Sequence, residues 1–260
     1  MKIVVSVKQV PARDSLLRVN PDGQWLDESD ITYEMNEPDA YALEEALQLR
    51  EKLGGEVVVL CLGQQRAAQT IREALAKGAD RAIHIEIPGE TGEQRTLDAL
   101  ETARLLAGAL KTETPDMILT GLQSDDLGYG QTGVILAELL GYSHATIVME
   151  VEPQDGMVRV KRELEDGWFQ NVLLPLPVVL TIQSGIKKLR YATLMGIKKA
   201  KTKTIQTLSA AELRSSDAPT ASIAQVYAPH HSKQTQILSG NPREIAQQLV
   251  EKLKFEARVI

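Results

Sequence analysis

The stretch MILTGLQSDDLGYGQTGVILAELL, residues 117–140, decides how this chain is read. An apolar run at 117–120 passes through Gly121, Gly128, Gly130 and Gly133 into a helix-like segment at 134–140. A strand that opens through glycines into a helix N-terminus leaves a nest of main-chain N–H groups, which favours an anion. Gly128, Gly130 and Gly133 permit close approach of the backbone, while Gln123, Ser124, Gln131 and Thr132 offer side chains to a phosphate or ribose. The stretch reads as a nucleotide-binding loop. No Gly-Lys-Ser/Thr follows, so it is not a Walker A loop. Nor does it open the first strand–helix unit, as a dinucleotide fingerprint does.

Outward from this loop the chain alternates. Residues 3–7 form a short apolar run typical of a buried parallel strand. A helix is predicted over 39–53, with Ala42, Ala46 and Leu49 at helical spacing and Gly54–Gly55 ending it. Strand 57–62, helix 67–77, strand 81–85 and helix 96–110 follow, the last with Thr96 or Asp98 near its start. This alternation predicts an α/β fold, doubly wound around a mostly parallel sheet with flavodoxin-like layering. Ligands of such sheets lie beyond the carboxyl ends of the strands, where the 121–133 loop falls.

The pattern changes after residues 145–151. Gly156 and the Asp166–Gly167 pair divide 145–151, 157–164 and 168–174 into a β-hairpin arrangement, and a strand at 178–182 comes after Pro175 and Pro177. From Lys187 to Lys203 the chain is basic, residues 209–220 read as an extended polar linker, and Asn241–Pro242 opens a terminal helix. The boundaries predicted are an α/β nucleotide-binding domain over 1–186, a basic segment over 187–204 and a C-terminal arm over 205–260.

At 260 residues the chain is long enough for a substantial core. Hydrophobic residues make up 43% and aromatic ones only 4%, so that core is mainly aliphatic. A net charge of −6 gives no support to a nucleic-acid surface. With one cysteine, Cys61, no internal disulfide forms, and a reducing, cytoplasmic setting is expected. The opening apolar run is too short for a membrane span.

No catalytic or metal-ligating constellation stands out. His84 lies in a strand, the pair His230–His231 reads as a solvated loop, and Cys61 reads as a buried, inert thiol. Asp125–Asp126 are expected to bond backbone amides or ribose hydroxyls. Chemistry is therefore expected from a bound cofactor. RYATLMGI, residues 190–197, leaves two readings open: an exposed docking loop with Leu194 entering a partner's pocket, or a loop packed back on its own domain.

Four stretches, KIVVSVKQVP at 2–11, MNEPDAYALEEALQLRE at 35–51, IREALAKGADRAIHI at 71–85 and PLPVVLTIQSGIKKLRYATLMGIKKAKTKTI at 175–205, resemble the beta subunit of electron transfer flavoproteins. The second stretch departs from the family pattern at Glu37, where proline is common, and the SDDLGYGQTG loop departs from the commonest acidic run. Together with TIQSGIKKLRYATLMGI, that loop most resembles members that serve bacterial methylated-amine dehydrogenases. The resemblance implies a heterodimer with an alpha subunit that holds most of an FAD. Electrons would pass from a flavin-containing dehydrogenase to a quinone reductase. It implies a structural AMP in this subunit, with Ser6, Asn36, Leu62, Gln123 and Ser124 around the adenosine and Gly130, Gln131, Thr132 and Gly133 at the phosphate. It implies docking through Tyr191, Leu194, Met195 and Ile197, and a C-terminal arm that wraps the alpha subunit. A bifurcating relative would carry a second FAD in place of AMP. A stand-alone nucleotide-binding stress-type protein is the reading from another class; it leaves RYATLMGI and the arm without a role.

Overall fold

The structure is a computed structural model that describes residues 1–87, 97–213, 221, 223–229 and 235–260. The chain divides into two units, Met1–Val226 and Tyr227–Ile260. In the first, β1 (Lys2–Val7), β2 (Gln9–Pro11), β3 (Tyr33–Met35), α1 (Glu37–Leu53), β4 (Glu56–Gly63), α2 (Ala68–Lys77) and β5 (Arg81–Glu86) come first. α3 (Ala99–Leu110), β6 (Met117–Gly121), α4 (Thr132–Leu140), β7 (Ser143–Gln154), β8 (Met157–Glu163) and β9 (Phe169–Pro175) follow. β10 (Val178–Ile182), α5 (Leu194–Ala200), β11 (Ile205–Ser209) and α6 (Ala210–Leu213) complete it.

One nine-stranded sheet runs β11-β5-β4-β1-β6-β10-β7-β8-β9. The pairings from β11 across to β7 are parallel, and β7–β8–β9 is antiparallel. The mostly parallel α/β fold expected from the alternation is the one observed. β2 and β3 form a small separate antiparallel pair.

Side-chain alternation explains why helices cover both faces. Ile3, Val5 and Val7 of β1 point into one core with α1 and α2, whereas Val4 points into a second core with α3 and α4. β4, β6 and β10 divide in the same way, as strands buried on both faces must. The order reverses at β1: β4 and β5 build out on one side of it and β6 and β10 on the other. The crevice between β1 and β6 at their carboxyl ends is thus the switch point of the fold.

Local chemistry fixes the helices. α1 has Pro38 near its start, Glu37 and Asp39 in its first turn and Arg50 and Lys52 in its last, matching the helix dipole. α3 begins at its cap Asp98, whose carboxylate accepts the Glu101 N–H at 2.7 Å. Thr96 lies outside the described residues.

Two local expectations are corrected. RYATLMGI is not wholly a loop, because Thr193 caps a short helix, accepting the Gly196 N–H at 3.0 Å, and α5 starts at Leu194. The polar stretch from 209 does not begin extended: Ser209 ends edge strand β11 and α6 follows at once. β11 carries a weak strand signal because an edge strand is half exposed and its apolar content is low, with only Ile205 and Leu208 partly buried. The hairpin expected between 145 and 174 is present as β7–β8–β9.

In the second unit, α7 (Pro242–Glu251) continues into a wider helical turn over Lys252–Ala257. Asn241 and Glu244 form a full capping box at its start. Among the described residues no helix is long and apolar enough to cross a membrane.

Candidate functional site

A cavity of about 480 Å3 opens beyond the carboxyl ends of β1, β4 and β6, at the switch point. Its size falls in the range of small-molecule sites. All nine residues singled out in the sequence as cofactor-binding line it: Ser6, Asn36, Leu62, Gln123, Ser124, Gly130, Gln131, Thr132 and Gly133. Strand ends bring Ser6 and Leu62, the cap of α1 brings Asn36, and the glycine-rich loop and the first turn of α4 bring the rest.

The loop is held open by its own side chains. Asn36 caps α1 in position, yet its side chain does not cap the helix. It instead donates from Nδ2 to the Gln123 carbonyl at 3.0 Å and accepts the Asp125 N–H on Oδ1 at 2.9 Å. Asp125 takes the Glu37 N–H at 3.3 Å. Asp126 accepts from the Lys8 ammonium at 2.6 Å and from the Leu127 N–H at 2.7 Å. Burial opposes its charge, but Lys8 and the hydrogen bonds from Ser124 and Leu127 hold the Asp126 pKa below the usual value. Each aspartate thus accepts a main-chain N–H, as expected, Asp125 from the start of α1 and Asp126 from Leu127, and Asp126 also ties the loop to Lys8.

Gly128 and Gly130 have φ of 64° and 62°, the left-handed region that glycine enters without strain, and the Gly128 N–H closes a turn on the Ser124 carbonyl at 3.0 Å. Gly133 serves a different purpose. A Cβ there would lie 2.6 Å from Thr181 Cγ2 and 2.8 Å from Thr120 Oγ1, so only glycine lets α4 start this close to the sheet. No side chain caps α4, which begins next to Gln131. Its first N–H groups, lacking intrahelical acceptors, face a ready-made position for an anion. A phosphate fits this cradle, and the apolar wall of Leu62, Ala67, Ile87 and Leu106 offers a flat ring a dry surface.

The lining residues that were not anticipated include Lys8, Trp25, Asp39 and Arg66. Asp39 is buried, with Oδ2 accepting the Lys8 N–H at 2.7 Å and Oδ1 accepting the Gly121 N–H at 2.9 Å. It thus ties the exits of β1 and β6 to the first turn of α1. Burial pushes its carboxyl up to about 7 against the pull of those hydrogen bonds. Its signal in the sequence was an acid in a helix's first turn just after Pro38. Cys61 is buried beneath, its thiol pushed up to about 12 by burial and then by Asp39. His84 is also buried, its Nε2 sharing a hydrogen bond with the Gly63 carbonyl at 3.1 Å. His230 and His231 lie outside the described residues.

The four residues expected to dock a partner lie on a different part of the first unit, and none of them lines the cavity. Tyr191 is 92% exposed, Leu194 82%, Met195 63% and Ile197 46%. They stand at and just before the start of α5 and face solvent. Of the two readings of RYATLMGI, the packed-back one does not describe these side chains.

The chain matches the electron transfer flavoprotein domain family over residues 24–213. An electron transfer flavoprotein subunit beta from Methylophilus methylotrophus is 39% identical, across 91% of this chain and 92% of its own length. The subunit beta of Mus musculus is 35% identical, across 100% and 99%. The mitochondrial subunit beta of Oryza sativa subsp. japonica is 35% identical across the whole of both.

Proposed function

From the premise that this chain belongs to the electron transfer flavoprotein family and is a beta-subunit member with its electron-transfer role, we propose that it is a nucleotide-retaining, partner-docking subunit of a heterodimer. The redox group is an FAD held mostly by an alpha subunit, and that FAD supplies the electron-accepting and electron-donating chemistry. This chain supplies no covalent catalytic group. Its own site retains AMP as a structural ligand.

The observation that carries the reading is the convergence of all nine nucleotide-site candidates on one cavity above the uncapped start of α4. Gly130, Gln131, Thr132 and Gly133 would hold the phosphate with main-chain donors. Ser6, Asn36, Leu62, Gln123 and Ser124 would surround the adenosine. Tyr191, Leu194, Met195 and Ile197 would enter an apolar pocket on a flavin-containing dehydrogenase, with the exposed Lys188, Lys198, Lys199 and Lys201 at the rim. Downstream, the electrons would go to a quinone reductase. The basic segment 187–204 would serve docking, and of the predicted arm 205–260 the part beyond β11 and α6 would wrap the alpha subunit. A donor of the methylated-amine dehydrogenase kind is proposed on the resemblance of the SDDLGYGQTG loop and of TIQSGIKKLRYATLMGI alone. A cytoplasmic setting agrees with the single, buried cysteine.

The test is co-purification with the alpha subunit, followed by release of bound groups by denaturation and their quantitation. One FAD and one AMP per heterodimer is the expected result. Two FADs and no AMP would transfer the site to a second flavin, as in a bifurcating carrier. A homodimer with adenine nucleotide and no flavin partner would overturn the reading in favour of a stress-type protein.

A further inference from the structure

Between β10 and α5 the chain runs as a strap beside α1, and two of its charged side chains, Lys187 and Arg190, are committed to that helix. Arg190 donates from Nε and Nη2 to the two oxygens of Glu44, at 2.8 and 3.0 Å, and its main-chain N–H reaches Glu44 Oε2 at 3.2 Å. The same guanidinium reaches the two oxygens of Glu51 at 2.5 and 3.2 Å. Three residues earlier on the strap, Lys187 Nζ stands 3.6 Å from Glu45 Oε2. Glu44 and Glu45 are 4% and 1% exposed, so neither can touch a partner protein. Ile186 and Leu189 pack their apolar side chains onto the core beneath.

A second clamp holds the far end. Gly196 sits so close to α2 that a Cβ would lie 2.2 Å from the Ala76 carbonyl oxygen. Arg72 of α2 donates to the carbonyls of Ala200 and Lys203, the latter at 3.1 Å. Lys203 donates back to the Leu75 carbonyl at 3.1 Å and to that of Ala79. The exposed apolar residues 191–197 therefore lie between two fixed points, Arg190 on α1 and Gly196 with Lys203 on α2.

We infer that Glu44, Arg190 and Gly196 are positioning residues that hold the 191–197 element in its docking form before any partner arrives. This rests on the docking role given to Leu194 in the preceding reading. An element ordered in advance loses little conformational freedom on binding, so more of its contact energy appears as affinity. A bidentate Arg–carboxylate pair suits this task because it fixes orientation as well as distance. The two bidentate pairs use four of the five N–H donors of the guanidinium, so Arg190 is spent on its own scaffold rather than on a partner.

The test uses the heterodimer with its alpha subunit and, as electron donor, a bacterial methylated-amine dehydrogenase. Wild type is compared with L194A, E44A, E44Q, E51Q and G196A for KM and kcat of reduction, FAD and AMP content, and hydrogen exchange of the Arg190 amide. E44A is expected to raise KM about tenfold, the equivalent of about 1.4 kcal/mol, with kcat, FAD and AMP unchanged and faster exchange at Arg190. E44Q, which keeps one acceptor, should fall between E44A and wild type, and the more exposed E51Q should show a smaller rise.

The sign for E44Q separates positioning from simple charge. Removing a carboxylate makes the basic surface more positive, so direct attraction to an acidic partner would lower KM rather than raise it. A lowered or unchanged KM in E44A and E44Q, with L194A still impaired, overturns the clamp and leaves the docking role standing. Unchanged KM in L194A overturns the docking role itself. Loss of FAD or AMP in both E44Q and E51Q would assign these carboxylates to general folding and overturn the inference as well.

Discussion

The carboxyl rim of the sheet and the α1–α2 flank of the same unit are built in opposite ways. At the rim, side chains are tied to one another and the main chain is left open. Asn36, Asp39, Lys8, Asp125 and Asp126 are all bonded within the scaffold, while no side chain caps the first amides of α4. On the flank the main chain is fixed, by Arg72, Lys203 and Arg190, and the apolar side chains of Tyr191, Leu194 and Met195 are left open. A small anion is recognised by main-chain donors, which need a rigid side-chain scaffold. A protein partner is recognised by side chains, which need a rigid main chain.

The sharpest way to break the rim is G121A. A Cβ at Gly121 would sit 2.4 Å from Asp39 Oδ1, 2.7 Å from Pro38 Cβ and 2.9 Å from the Asp39 main-chain nitrogen. Two of these atoms belong to the backbone or ring of α1's first turn, so relief requires moving the helix. Overpacking of this kind should cost about 3 kcal/mol. Denaturant unfolding of the heterodimer checks it, and AMP retention should fall in the same preparation. A G121A protein as stable as wild type would mean that α1 is not anchored at this strand exit.

Next in size is D39N. Only one atom of the amide accepts, so either the Lys8 or the Gly121 N–H would meet an NH2 group, a loss of about 2 kcal/mol. The variant also tests a pH dependence. The folded pKa of about 7 lies above the reference of 3.8, so between these values the native chain holds a proton that the unfolded chain releases. Asp39 therefore contributes stability at low pH that is lost as pH rises through 7. D39N should be less stable throughout and lack that share of the slope, measured by denaturant midpoints from pH 5 to 8. Parallel profiles for the two proteins would place the titration on another group.

On the flank, L194A should lower kcat/KM for the dehydrogenase about tenfold, as loss of an apolar anchor does. FAD and AMP content should stay at wild-type levels, because Leu194 does not line the cavity. The comparison breaks if docking survives and nucleotide is lost instead.

The two regions also differ in how much of them the sequence revealed. The rim was legible because its signals are local. Glycines mark the turn, apolar runs mark the strand ends, and a parallel sheet gathers those ends at one edge. The clamp on the flank was not legible. Arg190 meets Glu44 across 146 residues of sequence and Glu51 across 139. Read along the chain, Glu44, Glu45 and Glu51 look like the solvated face of a helix, and only the packing of the strap over α1 buries the first two. Asp39 was missed for a related reason: its partners, Lys8 and Gly121, sit at the exits of β1 and β6, which become neighbours only when the sheet forms. The nucleotide loop needed one segment to be seen, whereas the clamp needed three.

The smallest effect separates the anchor from its surround. Lys198 and Lys199 are exposed beside Leu194 on α5, at the rim rather than the centre of the apolar surface. Charges so placed act mainly on the rate of encounter, through a field screened over about 8 Å at physiological salt. The double variant K198Q/K199Q should therefore lower the association rate about threefold at low ionic strength, each charge contributing a fraction of a kcal/mol. Dissociation should be nearly unchanged, because the anchor and its clamps remain. Raising the salt should bring wild type down toward the variant until the two coincide. L194A should do the reverse, with faster dissociation and a salt dependence parallel to wild type. Stopped-flow association measured from low to high salt distinguishes them. If K198Q/K199Q mainly accelerates dissociation, the lysines belong to the buried centre of the contact, and the division between a fixed apolar anchor and a steering rim would have to be redrawn around α5.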